Sequence, residues 1–134
     1  MAAMAFPERE VRIPPLRVVV QYRRIAGDSG PSVQIYAPVG EQERQVLRID
    51  CFAELPHYHL DPADRDRVRL LHLRGHQAAI EWALTQLRER LPDLLREAGF
   101  PQVADQLSPE AIAQGLPSLS QALHEVLTEG TRPL

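Results

Sequence analysis

The sequence contains no lysine and no asparagine; all fifteen basic residues are arginine. A GC-rich coding sequence gives that pattern by itself, because the codons of both missing residues are rich in A and T. Arginines selected to bind anions or planar groups would be clustered. Arg65, Arg67 and Arg69 come nearest to a cluster, and Asp64 and Asp66 compensate them. The single cysteine, Cys51, excludes an internal disulfide and fits a reducing compartment. No run approaches the roughly 20 apolar residues that a spanning helix needs. Met1 to Glu10 lacks an apolar stretch of signal-peptide length, and Glu8 and Glu10 argue against a transit peptide. The expectation is a cytoplasmic chain with no membrane partner. Net charge is −3, with acids and bases interspersed. A nucleic-acid footprint would need a basic excess or stripe, so no nucleic acid is expected either. There is no glycine-rich phosphate loop and no dinucleotide fingerprint.

What is present is an ordinary globular composition over 134 residues, read as one α+β domain spanning 1–134. Residues 1–15 read as an arm, 16–73 as a β-meander and 75–129 as a helical part. Leu16, Val18, Val20 and Tyr22 alternate with polar residues, apart from Val19, and predict a strand over 16–25. Gly27 to Pro31 reads as a turn and 32–37 as the returning strand, with Val33, Ile35 and Ala37 inward. A third strand over 44–52 puts Leu47, Ile49 and Cys51 inward, and Arg48 and Asp50 outward. Pro56 interrupts the pattern with a bend or bulge, and pairing resumes over 57–60. Residues 67–73 alternate as a further strand, with Val68, Leu70 and His72 on one face. The sum is an antiparallel meander of about four strands, joined by short loops.

From Gly75 the period becomes helical. His76, Ile80, Ala83, Leu84, Leu87 and Leu91 share one stripe. Pro92 opens a new short helix that ends at Gly99, and Ser108-Pro109-Glu110 caps another. Gly115 is expected to end that segment, with a last helix over 117–129. An antiparallel sheet with one apolar face needs cover, and these helices supply it, either on the sheet or as a separate lobe.

The chemistry gathers where strand gives way to helix, around Asp50 to His59. On an extended strand, residues two apart share a face, so His57 and His59 can reach one metal ion such as zinc. Asp61, Cys51, His72 and His76 are candidate third ligands. Without metal, His57 or His59 would act as a general base with Asp50 orienting it, while Tyr58 points to the opposite face. The plainer alternative is a pair of sheet-edge histidines hydrogen-bonded to nearby carboxylates. Cys51, sharing a face with Leu47 and Ile49, reads as a small core residue rather than a nucleophile. His124 falls on a polar helix face.

Asp50-Cys51-Phe52, three further residues, and then Pro56-His57-Tyr58-His59 resemble the signature of a family of small uncharacterised bacterial proteins. The similarity extends weakly through the preceding hairpin and into Gln86–Pro92 and Gly99. It implies a shared fold and no particular activity.

Two functions are therefore expected in parallel. One is a small module acting by self-association or by binding a protein partner. Val19, Phe52 and Trp82, apolar residues outside the assigned inner faces, point to a homodimer. The other is a hydrolase- or lyase-like enzyme with a metal or histidine site at His57 and His59.

Overall fold

The computed structural model describes residues 6–132. The part of the expected arm at 1–5 lies outside them. Six strands and three helices follow in chain order: β1 (Glu8–Ile13), β2 (Leu16–Ile25), β3 (Asp28–Val39), β4 (Gln42–Asp50), β5 (His57–Leu60), β6 (Arg67–Leu70), α1 (His76–Glu97), α2 (Pro101–Asp105) and α3 (Pro109–Thr131). The strands form one antiparallel meander in the order β1-β2-β3-β4-β5-β6. The α+β architecture is as expected, with six strands in place of about four.

The first added strand is β1. Pro14 and Pro15 make its turn into β2, and Val11 and Ile13 sit opposite Val18 and Leu16 on the inner face. The prolines obscured a short alternation that the neighbouring strand completes. The second correction is the β2–β3 hairpin. Its turn is Ala26–Gly27, both at positive φ, so β3 begins at Asp28 rather than 32. Turns of that hand match strand twist. Pro31 is tolerated in β3 because its carbonyl, and so its nitrogen, faces the side where the β4 ladder has ended. β6 is shorter than expected and stops at Leu70.

Leu16, Val18, Val20, Tyr22, Val33, Ile35, Ala37, Leu47 and Ile49 are all buried, as their alternation predicts. A bulge interrupts the β3–β4 register. Ile35 faces Leu47 and Tyr36 faces Gln45, leaving Val46 as the extra, fully buried residue. Helices α1 and α3 cover this face, α3 across β1, β2 and β3 and α1 against β4 and β5. Ile80 and Leu87 are buried, while Leu84 is half-buried against the core. The two-layer alternative is thus realised, with α1 and α3 both packed on the sheet.

Helix α1 runs on to Glu97, but Arg90 leaves helical geometry at φ −134°, just before Pro92. A proline cannot donate to the preceding turn, so the break sits where the sequence placed it. Gly115 does not end a helix; α3 continues through it and through Pro117. A Cβ at Gly115 would stand 2.5 Å from Ile13 Cγ1, and one at Gly130 would stand 2.1 Å from the buried Tyr22 ring. Both glycines let α3 lie close on β1 and β2, a contact no local pattern reveals. No helix of the described residues is long and apolar enough to cross a membrane.

The candidate histidine–carboxylate site

Inner-face residues are covered by helices; the opposite face of the sheet is not. Register places Ser32, Asp50 and His57 in one row on that open face, with Leu70 beside them on β6. Gln34, Arg48, His59 and Val68 form the next row. Asp50 points outward, as the strand period predicts, yet it is not solvated: it is only 1 % exposed. Its neighbours bury it.

His57 Nε2 donates to Asp50 Oδ2 at 2.9 Å, and His57 Nδ1 is 2.8 Å from the Leu55 carbonyl. Both ring nitrogens thus meet acceptors, which only the imidazolium satisfies. The Asp50 bond accordingly raises the His57 pKa above its ordinary 6.5, against the opposing effect of burial. Burial by itself would push the Asp50 carboxyl up. The His57 bond, with the approach of His59, Ser32 and Arg48, outweighs it and holds Asp50 well below the usual carboxylate range. Arg48 Nε lies 3.3 Å from Oδ2, and Arg23 Nη1 lies 3.5 Å from Oδ1.

His59 is paired differently. Its Nδ1 is 2.6 Å from Asp66 Oδ1, and its Nε2 is 2.8 Å from Arg48 Nη2. A guanidinium only donates, so Nε2 accepts from Arg48 and Nδ1–H donates to Asp66. The 3.4 Å approach of Nε2 to Asp50 is then proximity rather than a hydrogen bond.

The loop at residues 51–56 fixes the His57 ring through the Leu55 carbonyl, and Asp28 fixes the loop. Asp28 Oδ1 accepts from the Glu54 N–H at 3.0 Å and Oδ2 from the Leu55 N–H at 2.8 Å. Burial raises the Asp28 pKa, and these N–H groups with that of Ser29 more than reverse it. Gly30 lets the loop approach, since a Cβ there would stand 2.2 Å from the Cys51 carbonyl oxygen. Sequence reading missed Asp28 and Asp66, because both lie in turn-like runs where acids are ordinary.

The other candidates fall elsewhere. Cys51 lies in the core with its Sγ 3.7 Å from the Ala79 carbonyl, and burial pushes its thiol up, the surroundings of a small core residue. Asp61, at φ 56°, accepts from Arg44 Nη2 at 2.7 Å and from the Arg65 N–H, tying the β5–β6 turn to β4. His72 is exposed beside Leu55 and Arg74. His76 is held 2.8 Å from the Ser29 carbonyl. Neither histidine joins the group of Asp50, His57 and His59, whose ligand atoms lie within 4.8 Å of one another. Tyr58 is on the helix-covered face, stacked on Trp82 with centroids 5.2 Å apart. His124 is exposed.

The chain matches the model of a domain of unknown function, DUF7700, over residues 11–123. The chain belongs to that family. The matched span contains every strand from β2 onward and all the residues of the Asp50 network. No curated protein and no solved structure matches the chain.

Proposed function

We propose that the protein is an association module that docks a protein partner at the β5–β6 end of its open sheet face. One observation carries this reading. Leu55, Val68 and Leu70 are 64 %, 44 % and 61 % exposed, and all three lie beside the paired, buried ion network. Exposed apolar groups around a rigid, pre-paired polar centre are what a partner surface needs. An active site would need a free base and a hollow. Both histidines have each ring nitrogen engaged. Among the described residues, the hollows by Arg44 and Phe100, at the α1 kink, by His72 and by Gln42 are lined by residues other than Asp50, His57 and His59. Val19 and Phe52 are buried within the chain and Trp82 is stacked on Tyr58, so the apolar surplus that suggested a homodimer has places in the monomer. The test is a photo-crosslinking residue at Leu70, compared with one at Glu8 on the opposite sheet edge, in cells that make the protein. A partner crosslinked from position 70 and not from 8 is expected. No adduct from 70, or the same adducts from both, defeats the reading.

A second reading rests on the proximity of Asp50, His57 and His59, a span that suits one divalent cation such as zinc. Loading it requires Arg48 to leave His59 Nε2, and puts a dication beside Arg23 and Arg48. Only with such an ion does hydrolase- or lyase-like chemistry become reasonable here. Calorimetric titration with zinc decides: the association reading expects no stoichiometric binding. Stoichiometric uptake that His57→Ala and His59→Ala each abolish would establish the metal site instead.

A further inference from the structure

We infer that β6 accepts an extended peptide segment of alternating acidic and apolar residues as a seventh strand. The inference rests on the association reading and specifies the partner's chemistry. The sheet has two edges. β1 is guarded: Glu8, Glu10 and Arg12 are exposed along it, and Arg9 reaches α3 at Glu129. Every open-face residue of β1 is therefore charged, and with both signs present no single strand complements them all, which discourages pairing there. β6 carries a different pattern. Its open-face residues are the exposed Val68 and Leu70; its other face carries Arg67 and Arg69.

These two rows select the partner. A strand added to β6 places its own alternate residues beside each row. Next to Val68 and Leu70, apolar side chains would cover surface now in water. Next to Arg69, a carboxylate would find a free cation, because Arg69 enters no ion pair among the described residues. Arg67 is held by the Glu97 carbonyl, and its buried Nε has no hydrogen-bond partner.

A second copy of the chain fits this edge badly. In a two-fold antiparallel pairing of β6 with itself, opposed residues share a face, so residue numbers of equal parity meet. Arg67 or Arg69 then faces Arg67, Arg69, Arg65 or Leu71 of the copy, never an acid. Like charges opposed across strands destabilise the pairing. The same arginines favour a foreign acidic strand.

The test uses the full chain and a labelled peptide alternating glutamate and valine, with two controls: lysine for glutamate, and the same glutamates and valines segregated into blocks. Fluorescence anisotropy is expected to show binding of the alternating acidic peptide alone, with slowed amide exchange at Arg67–Leu70. Arg69→Glu is expected to weaken it about tenfold, as reversal of an interfacial charge does, and to favour the lysine peptide. Arg69 is exposed, so the variant should fold; Arg69→Ala, expected to weaken binding less, guards against its not doing so. Absence of binding, equal binding of the block peptide, indifference to Arg69→Glu, or exchange protection at β1 instead of β6 overturns the inference. If position 70 crosslinks a partner while the peptide fails, strand addition falls and the association reading stands. If the peptide binds and position 70 crosslinks nothing, the reverse holds.

Discussion

Asp50→Ala is expected to destabilise the protein by about 3–5 kcal/mol, the cost of removing one partner from a buried charge group. Among the described residues, the carboxylate is the only acid paired with Arg23, Arg48 and the His57 imidazolium. Without it three cations crowd a site from which water is largely excluded, and His57 must give up its proton or turn away. Ser32, whose hydroxyl has no hydrogen-bond partner of good geometry, loses the one acid opposite it. Chemical denaturation of the wild type and the variant measures the loss. A difference under about 1 kcal/mol would mean that the network is solvated and contributes little.

The same network sets a pH dependence whose sign follows from the two directions. His57 is raised above 6.5 in the folded chain. Its contribution is therefore complete below that value and is lost as pH rises through the folded pKa. Asp50 is lowered, so its contribution is present above the usual carboxylate range and fades only in strong acid. Thermal stability of the wild type is expected to fall as the medium goes from weakly acid to alkaline. In Asp50→Asn that alkaline slope should largely vanish, because the group that raises His57 has gone. A slope unchanged in Asp50→Asn would assign it to another titrating group.

Leu87→Ala is expected to cost about 2–5 kcal/mol, the range for truncating a leucine in a packed core. Leu87 is 1 % exposed, on the buried stripe of α1 with Ala83, Ile80 and Leu91. The neighbouring Leu84 is half-buried, so Leu84→Ala should cost clearly less. Equal losses in the two variants would mean that α1 presents a broader buried face than its burial pattern indicates.

Alternation in residues 16–25, 32–37 and 44–52 was enough to specify three neighbouring strands and their inner faces. The reason is that a strand buried on one side repeats every two residues, and that period survives in a single sequence. Helical spacing from His76 to Leu91 likewise specified α1, and the proline effect placed its break. His57 and His59 share a face for the same local reason. Local pattern could not reveal what distant segments supply. Gly115 looks like a helix end until Ile13 presses against it, and Gly130, one residue from the end of α3, also makes room for the Tyr22 ring. Asp28 and Asp66 look like turn residues until one holds the loop before His57 and the other holds His59. Asp50 looks like a solvated acid until Arg23, two strands away, and the two histidines of β5 close around it. The sequence by itself determined the fold class, the inner faces and the shared side of the two histidines, because these depend on period. Only the tertiary structure decided that the histidines are engaged by Asp50, Arg48 and Asp66 rather than converging with His72 or His76. Those partners are brought together by strand register, and register is settled by packing of the whole sheet.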